Sequence, residues 1–394
     1  MAGGIYGTNP DAYLLWDDSM NKPVSSVIKP PYRVPTMKQI AKLPRNGFKV
    51  ISTFSGCGGS CLGFEMAGYE ILWASEFIDA ARQTYKANHP KVPVDGSDIR
   101  QIKPEDVLKL LKIRQGEIDV LEGSPPCAAF SSSGSREEKW GKVVPYSNKK
   151  QRVDDLFFEY TRMVDGLRPR VFVAENVSGL IRGVAKGYFK EIIRTMKKLG
   201  YNVEARLLDA QWLGVPQQRS RIIFVGVRDD LGGAPAFPKP YSVRYSIRDA
   251  FEGLPGPKEG SSDGKYKPLD PETDYSLSFE KNALFEEWRK LKRGEISDKY
   301  LNLVRSKDSA PSFAVTASGN RAGIAGVAHS TEPRKFTLAE VRRICSFPDD
   351  FQLTGTYMQR WERMGRAVPP LMMRAIASTV LDEILIPLRK AGKI

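Results

Sequence analysis

An α/β fold with a mostly parallel sheet and a smaller inserted lobe is predicted by three observations. Short apolar β-type runs alternate with helical patterns from residue 47 to residue 228. The texture then changes: residues 229–310 are rich in Gly, Pro, Ser, Lys and Asp and hold little regular period. Regular patterning returns at Phe336, and Leu371 to Leu388 carries helical periodicity, as expected of a chain that comes back to its first lobe. The expected division is an N-terminal extension over 1–46, a large lobe over 47–228, a small lobe over 229–333 and a return segment over 334–394.

Residues 1–46 carry several prolines, mixed polarity and no clear period, and read as an extension packed on the outside or partly mobile. Val50 to Phe54 reads as a buried strand ended by glycines. Further β-type runs follow at Glu70–Ala74, Ile118–Glu122, Val171–Ala174 and Ile222–Val227. Val153, Leu156, Phe157, Tyr160 and Val164 fall on one helical face, and Tyr188, Ile192, Met196 and Leu199 on another. No internal repeat is present.

Composition narrows the function classes. With 41% apolar and 27% charged residues the chain has the balance of a soluble protein, and no run approaches the length of a membrane span. The first residues lack a basic segment followed by an apolar one, so a cytoplasmic protein is expected, and a monomer. The cysteines Cys57, Cys61, Cys127 and Cys345 make no CxxC pair, and only His89 and His329 accompany them, which argues against a metal site or disulfide framework. Scarce histidine also weakens any mechanism with histidine as the general base. A net charge of +14 suits a polyanionic partner, nucleic acid first, although charge alone is equally that of a basic surface.

Phe54-Ser55-Gly56-Cys57-Gly58-Gly59 lies between a strand and a helix, where glycines let the backbone approach a ligand; a tight turn is the plainer reading. Glu76 and Asp98 follow the next two short runs, where acids commonly meet ribose hydroxyls or base amines, though each alone reads as a solvated loop residue. Gly123-Ser124-Pro125-Pro126-Cys127 is sharper. A cysteine presented rigidly after two prolines at the end of a buried strand is a candidate nucleophile. Glu175, in Ala174-Glu175-Asn176-Val177, is placed to protonate or bond a ring nitrogen, and Arg219 and Arg221 offer forks for carbonyl or phosphate oxygens; each has an ion-pair alternative.

Taken together these motifs, with Arg334…Phe347-Pro348 and Gly365-Arg366-Ala367-Val368-Pro369-Pro370, resemble the cytosine-C5 DNA methyltransferase family in content and order, over roughly residues 48–228 and 311–385. The resemblance implies a Rossmann-like S-adenosylmethionine-dependent methyltransferase fold, with a target-recognition domain in the poorly matched stretch, and double-stranded DNA as partner. It implies that Phe54 to Gly59 and Glu76 hold the methionine and ribose of S-adenosyl-L-methionine, that Asp98 holds its adenine amine, and that Pro125, Ala367 and Val368 line its site. Cys127 would attack carbon 6 of a flipped-out cytosine, Glu175 would bond N3 and the exocyclic amine, and Arg221 with Arg219 would sit near the 2-carbonyl and the phosphate. Residues 130–152, with Ser131, Lys149, Lys150 and Arg152, would form a loop closing on DNA, Trp140 being either a wedge or loop packing, and Arg334 would support the recognition domain or face DNA.

Two departures stand out. Ala128 replaces the family's usual glutamine after the cysteine, and Arg366 replaces its usual asparagine or serine beside the donor end. Arg366 has three readings: a partner for a surface acid, a contact to the flipped nucleotide's phosphate, or a fork for the carboxylate of carboxy-S-adenosyl-L-methionine, which would give 5-carboxymethylcytosine. Rival functions are an RNA cytosine methyltransferase, opposed by the lack of any Thr-Cys pair, a transfer-RNA enzyme on the same scaffold, and an inert DNA-binding regulator, opposed by Cys127, Glu175 and Arg221 together.

Overall fold

The computed structural model describes residues 29–126, 144–146, 149–151, 156–182, 185–256, 258–259, 268–270, 272, 277–280, 283–300, 303–318 and 326–394. Its centre is a seven-stranded sheet. We number the strands β1 (Lys49–Thr53), β2 (Glu70–Ser75), β3 (Val94–Asp95), β4 (Val120–Gly123), β5 (Val171–Val177), β6 (Tyr201–Asp209) and β7 (Ser220–Arg228). Their order across the sheet is β3-β2-β1-β4-β5-β7-β6. β1 to β5 are mutually parallel, whereas β7 runs antiparallel to both β5 and β6.

The parallel strands are apolar on both faces because helices cover both faces. Val171, Phe172, Val173 and Ala174 of β5 are all buried. On one side lie α4 (Leu156–Leu167) and α5 (Ala185–Lys198), whose apolar faces pack with β5 and β7 in a single cluster. The Tyr160 hydroxyl sits 3.0 Å from the Leu121 carbonyl and 3.1 Å from that of Val173, pinning α4 over the ends of β4 and β5. On the other side lie α1 (Gly59–Met66) and α8 (Pro370–Val380). α1 and α8 touch so closely that a Cβ on Gly63 would stand 2.6 Å from the Met373 Cβ. The intervening helices are α2 (Asp79–Asn88), α3 (Pro104–Leu111), α6 (Leu338–Ile344) and α7 (Tyr357–Arg366).

Two features differ from the expected pattern. β6 was not foreseen: Tyr201, Val203 and Ala205 alternate with the less buried Asn202, Glu204 and Arg206, the weaker signal of an edge strand. The connection 210–219 that joins β6 to β7 is shorter than the dozen or so residues a parallel crossover needs, so β7 must turn back antiparallel. The periodic stretch 371–388 is not one regular helix. A π-helical segment, Leu381–Leu385, joins α8 to Ile386–Lys390, where Pro387 cannot donate to an earlier carbonyl.

Between 229 and 333 the described residues form short elements, including the helices Ile247–Phe251 and Ala283–Lys290 and two two-stranded pairs. Phe279, Trp288, Leu303 and Ala328 make a small cluster of their own, while Ile247, Leu277 and Val315 belong to the main core. Residues 29–46 lie on the outside, with Ile40 in the core and the Tyr32 hydroxyl donating to the Arg343 carbonyl at 2.8 Å.

β7 offers a test of this packing. A Cβ on Gly226 would fall 2.0 Å from Cε1 of Phe172, a ring held edge-on by Tyr160 and Tyr201. Gly226→Ala is expected to lower unfolding free energy by about 1–3 kcal/mol, read as a drop in the urea midpoint at unchanged slope.

Candidate active site

The carboxyl ends of β1 to β5 share one edge of the sheet, the edge at which ligands bind in open α/β folds. β7 reaches the same edge with its amino end, since Val177 pairs with Arg221. A cleft of about 930 Å³, solvent at its mouth included, opens there. It is lined by Phe54, Ser55, Gly56, Cys57 and Gly59 after β1, by Glu76 after β2, by Asp98 after β3, and by Ser124 and Pro126 after β4. Arg363, Arg366, Ala367 and Val368, at the end of α7, close the far wall. Gly58 and Pro125 are buried and are not part of this lining; the Pro125 carbonyl accepts from Asn176 Nδ2 at 3.2 Å.

The loop after β1 is tightly constrained. Phe54 adopts a left-handed conformation, φ 53°, unusual for a residue with a side chain. A Cβ on Gly59 would meet the Val368 carbonyl at 2.3 Å, so glycine lets α1 start against the last cofactor-type motif. Glu76 Oε2 accepts from Gly56 N at 2.8 Å and Oε1 from Ile78 N at 2.6 Å. Burial raises its pKa, and those backbone bonds oppose the rise. Asp98 accepts from Arg100 N at 3.1 Å and pairs with the Arg100 guanidinium at 2.9 Å.

At the junction of β5 and β7, Arg221 Nε lies 2.7 Å from Glu175 Oε1, and both side chains are largely buried. The ion-pair alternative is therefore realised, and the pair stands at the edge of the sheet where the cleft opens. Arg219 is different. It is 4% exposed, and it donates to the Val315 carbonyl at 3.2 Å and the Gly365 carbonyl at 3.0 Å. This overturns the expectation that it sits by the substrate: its donors hold the turn at Gly365.

Arg334 requires the same correction. It is 1% exposed and bonds both carboxylate oxygens of Glu340 at 2.8 Å, with Glu332 at 2.9 Å. A guanidinium so engaged cannot face DNA, although it does brace the segment entering α6. Lys149 and Lys150 lie in a two-stranded ribbon, Lys149–Gln151 against Val144–Tyr146. Cys127, Ala128, Ser131, Trp140 and Arg152 lie outside the described residues.

Cys57, Cys61 and Cys345 are buried, and burial pushes their thiols up, to about 12 for Cys57 and about 11 for Cys345. Such thiols carry little thiolate at neutral pH, so these three cysteines are poor nucleophiles. Among the described residues no cluster of His, Cys, Asp and Glu is suited to a metal ion, and no helix is long and apolar enough to cross a membrane.

Three functional candidates were not singled out from sequence. Arg363 lines the cleft one helical turn before Arg366, a spacing that i, i+3 arithmetic on 357–366 reveals. Glu362 lies between them: Arg366 Nε donates to its Oε1 at 2.8 Å, and Arg363 Nη2 stands 3.1 Å from its Oε2. Of the readings of Arg366, pairing with an acid is present, and the acid is nearly buried rather than superficial. Glu122, an acid inside the buried run Val120–Gly123, bonds Ser52 and receives Cys61 Sγ at 3.6 Å.

A mostly parallel seven-stranded sheet with an antiparallel β7, and a glycine loop at its carboxyl edge, has the architecture of a Rossmann-like methyltransferase. The model of the family described as C-5 cytosine-specific DNA methylase matches residues 48–382, and the chain belongs to that family. Type II methyltransferase M1.HphI of Haemophilus parahaemolyticus is 32% identical over 336 residues, covering 84% of this chain and 86% of that one. Type II methyltransferase M.NgoFVII of Neisseria gonorrhoeae is 32% identical over 360 residues, covering 87% and 90%. An Escherichia coli prophage protein described as a DNA modification methyltransferase has the same fold, with TM-score 0.66, 23% identity and coverage of 86% and 99%. The chain is thus a DNA cytosine-C5 methyltransferase by family.

Burial pushes the Glu122 carboxyl from 4.5 up to about 7, against the pull of its bonds from Ser52, Ser60 and Cys61. The folded state therefore holds this proton more tightly than the unfolded chain does. Its stabilisation is complete below the ordinary value and is lost as pH rises through about 7. Urea unfolding of the wild type should weaken between about pH 5 and pH 8 by up to roughly 3 kcal/mol more than that of Glu122→Gln, which carries no titrating proton.

Proposed function

We propose that this enzyme methylates carbon 5 of cytosine in duplex DNA through a covalent adduct with Cys127, on a base rotated out of the helix. The observation that supports it most is the position of Pro126. This residue directly precedes Cys127 in the chain and walls the same cleft as Phe54, Glu76 and Asp98.

The cavity fits S-adenosyl-L-methionine in size, in its glycine-lined approach and in its acids, with Phe54 to Gly59 and Glu76 holding methionine and ribose and Asp98 the adenine amine. When bound, this cofactor supplies a methyl group made electrophilic by its sulfonium. Cys127 adds as thiolate to carbon 6 of the cytosine. Glu175 bonds N3 and the exocyclic amine, Arg221 attends the 2-carbonyl, and together they stabilise the charge that moves onto the ring. Carbon 5 then accepts the methyl group. Removal of its proton expels the thiolate and restores the aromatic ring. The ribbon with Lys149 and Lys150, next to Arg152, contacts phosphates, and the 229–333 region reads the target bases. The Type II relatives suggest a restriction-modification setting.

Arg366 bears on the choice of donor. A sulfonium about 4 Å from an uncompensated arginine would be repelled by roughly 4 kcal/mol at an effective dielectric near 20. Glu362 already meets the Arg366 charge, so a donor carboxylate is not required and the ordinary methyl donor is favoured over carboxy-S-adenosyl-L-methionine.

DNA substituted throughout with 5-fluorocytosine, which has no removable proton at carbon 5, should trap the wild type covalently in the presence of S-adenosylmethionine and should not trap Cys127→Ser. Glu175→Gln should slow single-turnover transfer about a hundredfold or more. Nucleoside mass spectrometry of DNA from an expressing host should show 5-methylcytosine. Absence of both adduct and product overturns the proposal, a carboxymethyl mass overturns the donor, and turnover on transfer RNA alone overturns the substrate.

A further inference from the structure

Among the described residues, two arginines line the cavity proposed to take a cationic cofactor, and neither belongs to the cysteine chemistry. Arg363 is 3% exposed and Arg366 half-buried, and both side chains come from the last turn of α7. Glu362 lies between them with one carboxylate oxygen on each, at 3.1 Å from Arg363 and 2.8 Å from Arg366. Glu362 itself is 9% exposed, so water screens this three-charge group poorly. Across the cleft the facing acid is Glu76, whose carboxylate is engaged by the Gly56 and Ile78 amides. Asp98 carries its own cation in Arg100. Among the described residues, Glu362 is thus an anion in direct contact with both cavity-lining arginines, so its charge offsets part of theirs.

The reaction changes the charge of the ligand in this cavity. S-adenosylmethionine carries a sulfonium, and the S-adenosylhomocysteine left after transfer is a neutral thioether with otherwise the same groups. Whatever the pose, the ratio of the two affinities reads the local potential that the protein supplies.

We propose that Glu362 is a charge-selecting residue of the cofactor cavity, which by neutralising Arg363 and Arg366 lets the site hold the sulfonium nucleoside in preference to the thioether product. The inference rests on the proposed cofactor reading. It makes Glu362 a specificity-determining residue that does not touch the reacting atoms: it holds off product inhibition through the two arginines it pairs. Arg366, in this arrangement, is tolerable beside a cationic ligand because its counter-charge is built into the preceding turn of the same helix.

Isothermal titration of the full chain with each nucleoside, without DNA, tests this by binding alone. The Kd of S-adenosylhomocysteine divided by that of S-adenosylmethionine should fall about tenfold in Glu362→Gln, a change of roughly 1.4 kcal/mol. The same ratio should rise in Arg366→Asn and return towards the wild-type value in the double variant, where one charge of each sign is gone. Circular dichroism checks that each variant is folded, and should Glu362→Gln not fold, Arg366→Asn decides alone. An unchanged ratio in the folded variants overturns the role of Glu362 while leaving the cofactor reading intact. Wild type that binds neither nucleoside overturns the cofactor reading itself.

Discussion

The nine residues of β7 run antiparallel between β5 and β6, and the start of that strand is held to the end of β5 by the Arg221–Glu175 pair. This register is the constraint from which the site follows. Five parallel strands deliver their carboxyl ends to one edge, and β7, running the other way, reaches it with its amino end. The short 210–219 connection forces that reversal. A buried arginine and a buried glutamate are costly to desolvate apart, and their contact offsets that cost while aiming both at the edge where ligand is expected.

Around the cleft, charge is arranged in compensated groups rather than isolated ions. Asp98 is met by Arg100, Glu175 by Arg221, and Glu362 by two arginines. Glu76 is met by backbone amides instead, and it thereby ties the loop after β1 to the start of α2. Beneath them Glu122 sits among Ser52, Ser60 and Cys61 without a cation, which is why burial can lift its pKa so far. The two kinds of acid have different consequences: paired ones shape the potential that a ligand meets, and the unpaired one makes the floor of the site sensitive to pH.

The region between 229 and 333 is joined to the large lobe by buried polar ties. Arg219 reaches the Val315 and Gly365 carbonyls, Gln217 Oε1 accepts from Val315 N at 3.2 Å, and Asp270 Oδ2 accepts from Leu338 N at 2.9 Å. Arg334 holds Glu332 and Glu340 together where the chain returns. Removing one partner from such a buried pair costs about 3–5 kcal/mol because the other is left uncompensated. Side chains that look in sequence like substrate contacts are thus committed to holding the two parts of the cleft in place.

The sequence by itself determined the alternating α/β character, the strands β1, β2, β4, β5 and β7 to within a few residues, and the ordered motifs that mark the family. These depend on local periodicity, on prolines and glycines, and on residue order, all of which survive without three-dimensional contacts. It also placed Glu76 and Asp98 just past strand ends, where side chains share one edge, whereas Glu175, Arg221 and Arg366 were marked by the motifs they stand in. Only the tertiary structure decided which of several similar arginines faces the cleft. Arg219 and Arg221 are two residues apart, and Arg334 and Arg366 both stand in characteristic motifs, yet Arg366 lines the cleft while Arg219 and Arg334 are buried against internal partners. A guanidinium's role depends on which acceptors the fold brings within reach, and those acceptors, Gly365, Val315 and Glu340 among them, come from parts of the chain whose approach no local pattern encodes.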